Sequence, residues 1–264
     1  PDAEKRGLVT IQLTVNAAQQ AGQTELARTM QYISPSLDAT SQTGAGGAGL
    51  VDSAALRGLG SDQTWLLMNG KRYHTTALVN LFGARNRGNT GSDLNTIPML
   101  AVDRVEVLRD GAAAQYGSDA IAGVINIALK KRKDCEAVLG YGEYSRGDVQ
   151  NYLGSGYCGF EDGNAGVFAI TAEYLDRGRS DRSAPGDPRI IGDTKVQNST
   201  IFLNPELPLN ENTSFYGVAG FQSRDASSAA FARGGIGSGD IPSRNSAAMY
   251  PDGFVPFIAG NIKD

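Results

Sequence analysis

The sequence predicts an α+β domain followed by antiparallel strands of the kind that build a transmembrane β-barrel. Short apolar strands and an amphipathic helix share the first half, which is typical of an α+β domain. After residue 133 the pattern changes to strands separated by turns. Tight turns alternate there with long polar loops, as expected of a barrel with short turns at one rim and long loops at the other.

The composition fits this fold and excludes several other classes. The chain has 264 residues, of which 34 are Gly, 20% are charged and 41% are hydrophobic, so it is not typical of a disordered chain. No apolar run approaches the roughly 18 residues of a transmembrane helix. The net charge of −4 argues against nucleic-acid binding. No signal peptide is visible at Pro1, so a secreted chain would be the processed form.

One amphipathic helix is expected near the N-terminus. Thr24 is predicted as the N-cap of a helix at residues 25–33, which Pro35 ends. Leu26 and Met30 lie on one face of that helix together with Ile33. The helix therefore has one apolar stripe to pack against a sheet.

Four strands are expected around this helix. Residues 8–14 (LVTIQLT) predict the first, and residues 64–68 (TWLLM) predict another that is closed by the turn Asn69-Gly70. Residues 102–108 (VDRVEVL) alternate, with Val105 and Val107 on one face. The chain then breaks at Asp110-Gly111 and returns as a strand at residues 123–127 (GVINI).

These segments together resemble the N-terminal plug domain of TonB-dependent outer-membrane receptors. The resemblance rests on ALRGLGSDQTWLLMNGKR (55–72), DLNTIPMLAVDRVEVLRDG (93–111) and YGSDAIAGVINI (116–127), and it extends over roughly residues 8–130. It implies a plug domain at residues 1–132 and the start of a barrel at 133–264. The full barrel of the family would have about 22 strands. We therefore expect the chain to be incomplete and its barrel to continue elsewhere.

About five barrel strands are predicted. They form a hairpin of residues 136–144 and 149–160, and further strands at 166–175, 199–204 and 214–223. The segments 177–198 and 225–264 are expected at the outer rim, and the second is predicted to be irregular because it is rich in glycine. The basic run at residues 130–133 is interpreted as a solvated junction rather than a nucleic-acid site.

The two cysteines face each other in the predicted hairpin. If Arg146-Gly147 is the centre of its turn, Cys135 lies opposite Cys158, and Tyr141 lies opposite Tyr152. A disulfide is therefore expected, which would imply an oxidising compartment. Two unrelated free thiols are the alternative.

No motif in the sequence predicts catalysis or a cofactor. GAGGAG at residues 44–49 matches GxGxxG formally, but it neither follows a strand nor opens a clear helix. No phosphate loop and no metal-spaced set of Cys and His is present. His74 is the only histidine and has no nucleophile motif nearby. We therefore expect no enzyme activity, no cofactor and no bound metal.

Two arginines are candidates for a latch between plug and barrel. Arg57 and Arg109 each end a strand-like run, and the resemblance implies that arginines in these motifs pair with glutamates of the barrel wall. The planar guanidinium suits bidentate binding of carboxylates. Asp110 replaces the glycine that is frequent in the family, which gives Arg109 a local competitor. The alternative is that both are ordinary surface arginines.

The ligand-facing candidates lie in loops that the family places at the outer apices of the plug, here residues 40–50 and 73–92. The second loop combines aromatic groups with hydrogen-bond donors, which suits a polar or anionic solute. Its candidates are Tyr73, His74, Asn80, Phe82, Arg85, Asn86, Arg87 and Asn89. A merely solvated loop is the alternative for each residue.

The resemblance implies an energy-coupled outer-membrane transporter. Its partners would be TonB with the inner-membrane energising complex, the rest of its own barrel, outer-membrane lipid and an extracellular solute. A siderophore, a corrinoid, a saccharide and a peptide all remain open as the solute. Two alternatives are a non-transporting receptor that signals or anchors a surface partner, and a soluble periplasmic binding module if the chain is complete.

Overall fold

The computed structural model describes residues 8–11, 23–39, 49–80, 86–109, 112–161, 166–185, 191–229 and 258–263. Within these ranges no helix combines the length and the apolar character needed to cross a membrane. Two sheets of different kind dominate the structure, and a third, small sheet pairs β2 (Leu37–Asp38) with β3 (Ala55–Leu56).

The first large sheet belongs to the N-terminal domain and has the strand order β1-β6-β7-β4-β5. Only β4 and β7 run parallel, and the other neighbours are antiparallel. The strands are β1 (Leu8–Ile11), β4 (Thr64–Met68), β5 (Lys71–Arg72), β6 (Val102–Leu108) and β7 (Gly123–Leu129). Two helices accompany them, α1 (Leu26–Ile33) and the short α2 (Ala113–Tyr116). The α+β class predicted from the sequence is confirmed.

The alternation in β6 places its apolar residues in the core. Val105 and Val107 are fully buried, as the sequence predicts. Helix α1 packs Leu26 and Met30 into the same cluster. A smaller cluster that includes Leu67 covers the other face of the sheet. Because β7 is covered on both faces, it is apolar almost throughout rather than alternating.

The turn between β4 and β5 follows the prediction from Asn69-Gly70. Both residues have positive φ, at 49° for Asn69 and 75° for Gly70, which is the conformation that a tight hairpin turn requires.

The predicted cap of α1 is wrong. The N-cap is Glu25 rather than Thr24, and no side chain of its own segment caps the helix. The backbone N–H of Ala27 instead donates to the side chain of the distant Asn95 at 3.1 Å.

The second large sheet is antiparallel and is called the strand wall here. Its order is β14-β13-β11-β10-β9-β8, with β12 also paired to β11. The strands are β8 (Cys135–Gly142), β9 (Asn151–Glu161), β10 (Val167–Arg177), β11 (Lys195–Asn210), β12 (Thr213–Tyr216), β13 (Ala219–Ala229) and β14 (Ile258–Lys263). The wall has seven strands where the sequence predicts about five. The division between domains at residue 132 stays a prediction.

Two predictions about the wall are wrong. Strand β11 runs through residues 195–210, not only 199–204, so the preceding loop shrinks to 178–194. Residues 225–264 are not irregular throughout, because β13 continues to Ala229 and β14 pairs with it. In β11 the residues that face the N-terminal domain include Asn198 and Thr200, which are buried but polar. A search for apolar alternation therefore underestimates the length of the strand.

The wall has one face toward the N-terminal domain and one outward face. In β10 every odd-numbered residue from 167 to 171 is buried, whereas Phe168, Ala172 and Tyr174 are exposed. The end of the wall at which β8, β10 and β13 finish is called the long-loop end here, and the end at which β9 and β11 finish is called the short-turn end.

The predicted hairpin register is confirmed. Cys135 pairs with Cys158 across β8 and β9, and Tyr141 pairs with Tyr152. The two cysteines form the predicted disulfide. The tyrosine rings lie 5.3 Å apart between centroids on the exposed, outward face.

Candidate functional site: the interface between the N-terminal domain and the strand wall

Apolar contacts join the two parts of the chain. Phe202 of β11 belongs to the same buried cluster as the core of the N-terminal domain. Tyr157 of β9 packs with Leu100. The wall therefore contributes side chains to the core of the N-terminal domain, and these contacts hold that domain against the wall.

An ion pair is buried in the middle of this interface. Arg177, the last residue of β10, contacts the carboxylate of Glu25 at the start of α1. Both side chains are almost fully buried. The Nε atom of Arg177 also donates to the carbonyl of Thr194 at 3.3 Å. The guanidinium is thus held by the wall and by the N-terminal domain at once.

A second buried ion pair lies two strands away. Arg224 of β13 contacts Asp93, and its Nη2 donates to the carbonyl of Leu50 at 2.9 Å. Complete burial raises the pKa of the Asp93 carboxyl, and the Arg224 charge acts in the opposite direction. Asp93 also accepts the backbone N–H of Asn95 at 3.0 Å, so it caps the short 3-10 turn that follows.

The side chain of Asn95 lies between two carboxylates, those of Glu25 and Asp52. The amide nitrogen of Asn95 donates to Glu25 at 3.2 Å and to Asp52 at 2.8 Å. Asn95 is itself buried. The interface is therefore a connected network of charges and amides rather than two separate contacts.

A third polar contact reaches the long-loop end. Arg28 of α1 forms an ion pair with Asp193 at 2.9 Å, and the Tyr144 hydroxyl donates to the same carboxylate at 2.7 Å. Burial acts to raise the pKa of Asp193, but the Tyr144 hydrogen bond and the Arg28 charge outweigh it and lower that pKa. Tyr144 and Asp193, from two different connections at this end, are therefore joined to helix α1 through one carboxylate.

The domain junction carries another polar cluster. Asn69 in the β4–β5 turn donates to Asn204 of β11 at 3.0 Å, and Asn204 donates to the carbonyl of Lys130 at 3.0 Å. Lys130 is buried beside Glu136, with 2.9 Å between the charged atoms. Burial, and then the Arg132 charge, lower the pKa of Lys130 to about 8. Interpreting the basic run as a solvated junction is therefore wrong for Lys130.

The two arginines predicted as a latch lie elsewhere. Arg57 is exposed and donates to the carbonyl of Ile121, inside the N-terminal domain, at 3.3 Å. Arg109 follows the end of β6 and is half-buried. Their pairing with barrel glutamates stays a prediction. The two buried ion pairs, Glu25–Arg177 and Asp93–Arg224, have the opposite polarity because the wall supplies their arginines. The more exposed pair Arg28–Asp193 has the arginine in the N-terminal domain.

The sequence contains a signal for these pairs that apolar patterning misses. Arg177 continues the alternation of the buried odd-numbered residues in β10, and Arg224 alternates with the buried Ala226 and Ser228 in β13. A charged residue in the inward phase of a strand requires a partner inside. Its partner cannot be deduced from spacing, because 152 residues separate Arg177 from Glu25.

The predicted ligand residues divide into two groups. Tyr73 and His74 stack with 4.3 Å between ring centroids, and they line a cavity of about 820 Å³ with Asn204 and Tyr216, toward the short-turn end. The Tyr73 hydroxyl lies 2.8 Å from that of Thr96. Burial raises the pKa of Tyr73.

The second group lies further along the same loop. Backbone hydrogen bonds of 2.9 Å join Thr76 to Gly91 and Asn80 to Asn89, so the loop doubles back on itself. Asn80 is buried, Asn89 is half-buried and Arg87 is exposed. Asn86 adopts a positive φ of 55° at the turn. The predicted residues Phe82 and Arg85 lie outside the described ranges. The structure thus does not gather the six described candidates at one point.

Comparison with known proteins identifies the N-terminal domain. Residues 6–124 match the family described as TonB-dependent Receptor Plug Domain. The chain is 37% identical over 110 residues to the ferric enterobactin receptor PirA of Pseudomonas aeruginosa, covering 42% of this chain and 14% of the relative. It is 33% identical over 161 residues to the vitamin B12 transporter BtuB of Vibrio cholerae, covering 61% and 24%. The chain thus spans less than a quarter of the length of these relatives.

Solved structures share the fold over nearly the whole chain. A crystal structure of the ferric enterobactin receptor PfeA of Pseudomonas aeruginosa superimposes with a TM-score of 0.67 at 20% identity, covering 98% of this chain and 37% of that one. The unliganded ferric citrate transporter FecA gives a TM-score of 0.63 at 18% identity, covering 91% and 34%. At these identities the likeness concerns the fold alone.

The fold and interface define a plug domain packed against barrel strands. Residues 6–124 match the plug domain of TonB-dependent receptors, and the N-terminal domain is called the plug from here on. These relatives are named as a receptor and a transporter, not as enzymes.

Proposed function

We propose that this chain provides the plug and the first barrel strands of an outer-membrane importer driven by TonB. Residues 1–132 would be the plug and residues 133–264 the start of its barrel. The observation that carries the proposal is the buried pair of ionic contacts between plug and wall, Glu25–Arg177 and Asp93–Arg224. An importer needs a plug that closes the barrel at rest and moves when force is applied.

Ionic contacts suit a plug that must move and return. Desolvation offsets much of the attraction in a buried ion pair, and that penalty is recovered when water enters. An apolar interface of the same area would instead expose its surface to water on opening. Polar contacts therefore hold the plug in one position and still permit hydrated opening.

The outward face of the wall supports a membrane location. Tyr141, Tyr152 and Tyr174 are exposed toward the long-loop end, and Phe160 and Phe168 are exposed toward the short-turn end. Aromatic residues near both rims are typical of barrels that span the outer membrane. We propose that this face contacts outer-membrane lipid and that the plug lies inside the lumen.

For the solute we propose a ferric siderophore or a corrinoid. The proposal rests on relatives named as a ferric enterobactin receptor and a vitamin B12 transporter. In the loop that doubles back, Asn86, Arg87 and Asn89 would supply hydrogen bonds and positive charge to such a solute. Tyr73 and His74 would line its path toward the short-turn end.

A reversible tether between plug and wall tests the function. Asn69 and Asn204 contact each other across the interface, so Asn69→Cys with Asn204→Cys is the pair to oxidise there, and loss of both free thiols verifies the disulfide. The full-length protein with Cys135→Ser and Cys158→Ser is the background, and the two single-cysteine variants are the matched controls. Uptake of ferric enterobactin and of vitamin B12 is measured in cells with and without TonB.

The oxidised tether should abolish TonB-dependent uptake while the solute still binds, and reduction should restore uptake. The single-cysteine variants should import at the background rate under both conditions. Import at an unchanged rate through the tethered protein would contradict movement of the plug. Absence of TonB-dependent uptake of either solute in the background would contradict the proposed solutes.

A further inference from the structure

The arginines of the two buried ion pairs lie on wall strands that are not neighbours in the sheet. Arg177 lies on β10 and Arg224 on β13, and β11 separates these two strands. Their partners, Glu25 and Asp93, come from different segments of the plug. Asn95 contacts both partners, Glu25 through its side-chain amide and Asp93 through its backbone N–H.

The orientation of the Asn95 amide is fixed by its surroundings. The backbone N–H of Ala27 can only donate, so the oxygen of the Asn95 side chain must face it, at 3.1 Å. Both N–H groups of the amide then point to carboxylates, one to Glu25 and one to Asp52. All hydrogens of this amide are in use, and reversing it would place its NH2 group against a donor.

The backbone of Asn95 extends the connection. Its N–H donates to Asp93 at 3.0 Å, and its carbonyl accepts from Asn198 at 3.4 Å. Asn198 lies on β11, between the strands of the two arginines, and its own side chain accepts from Gln222 of β13 at 2.8 Å. One buried residue therefore contacts helix α1, both ion-paired carboxylates and the intervening strand.

We propose that Asn95 couples the two ion pairs, so that opening one opens the other. If Glu25 leaves, the amide loses an acceptor and the turn that presents Asp93 loses its support from α1. If Asp93 leaves, the backbone N–H of Asn95 loses its acceptor, and the amide that donates to Glu25 loses part of its support. This inference rests on the proposed function, because the coupling would make release of the plug a single event. Asn95 acts here as a positioning residue, through Glu25 and Asp93.

Two buried reporters can measure the opening at each pair separately. Ala27→Cys is next to the Glu25 pair, and Leu50→Cys is next to the Arg224 pair; both positions are buried. Labelling by a maleimide is followed in the full-length protein in membranes, without TonB or solute. The native disulfide is left oxidised, so the reporter is the only free thiol within residues 1–264.

Arg177→Gln should raise the labelling rate by at least about tenfold at both reporters, because a buried partner is lost and the opening spreads. In the Asn95→Leu background, Arg177→Gln should raise the labelling rate only at Ala27→Cys. Asn204→Leu is the matched control, a buried asparagine of the same interface, and should leave both reporters responding together. Asn95→Ser replaces Asn95→Leu if that protein does not assemble.

Two results would overturn the coupling. One is a rise confined to Ala27→Cys while Asn95 is present. The other is an equal rise at both reporters without the Asn95 amide. Because labelling needs neither TonB nor solute, failure of the coupling leaves the tether experiment intact, and failure of the tether experiment leaves the coupling intact.

Discussion

Arg177 of the strand wall and Glu25 of the plug form a buried ion pair that joins residues 152 positions apart in the sequence. The pair fixes the start of helix α1 against the end of β10. The polarity of this pair is opposite to the one expected for Arg57 and Arg109, since here the wall supplies the cation.

The second pair, Asp93–Arg224, should be costly to break from one side. Arg224→Leu leaves Asp93 buried without its cation, and we expect plug unfolding to be easier by about 3–5 kcal/mol. Asp93→Asn added to this variant removes the charge but keeps the oxygen that caps the following turn, and should recover more than half of the loss. A urea titration of protease cleavage in the plug measures both. A double variant no more stable than the single would contradict this.

Phe202 should matter to the plug although it belongs to the wall. It is 7% exposed and lies in the core cluster of the plug, so Phe202→Ala should destabilise the seated plug by about 3–5 kcal/mol. Phe168→Ala, on the outward face, is the matched control and should leave plug stability unchanged. The same urea titration compares them. Equal effects of the two substitutions would refute the wall's contribution to the core.

Lys130 should make stability depend on pH. Its pKa is about 8 in the folded state and 10.5 for an ordinary lysine. Between these values the folded state has lost the proton and the unfolded state keeps it, so the free energy of unfolding rises with pH. Lys130→Met should remove this rise between pH 8 and 10, and the exposed Lys131→Met should keep it. If the free energy of unfolding changed with pH in the same way for Lys130→Met and for the native protein, the lowered pKa of Lys130 would be contradicted.

The disulfide should stabilise the first wall hairpin and not the plug. The bridge closes a separation of 23 residues, for which the chain-entropy estimate is about 3 kcal/mol. Cys135→Ser with Cys158→Ser should therefore lower the unfolding temperature of the wall and leave protease protection of the plug unchanged. Intact mass after alkylation, with and without reduction, verifies the bond. Two freely alkylated thiols in the native protein would refute it.

The sequence predicts most of the elements whose local pattern is sufficient. Strand β4 with its Asn69-Gly70 turn and the cysteine hairpin with its register follow from turn chemistry and alternation over a few residues. The boundaries of β11 do not, because its buried positions carry Asn198 and Thr200. A strand that faces a polar partner lacks the apolar signal of a strand that faces a core.

The candidate site could be predicted only in part. The sequence correctly indicates a plug, but it cannot indicate that Asn95 lies between Glu25 and Asp52, since that requires three distant segments to meet. The absence of a capping side chain at α1 has the same origin, because Asn95 provides the acceptor from 68 residues away.

We propose above all that buried ion pairs between plug and wall hold the plug in the barrel. The most direct measurement is the ion conductance of the full-length protein in planar bilayers for Glu25→Arg, Arg177→Glu and the double charge swap. Each single reversal should place like charges together and open a leak, and the swap should close at least part of it. Single reversals that conduct no more than the native protein, or a swap that leaks as much as they do, would contradict the claim.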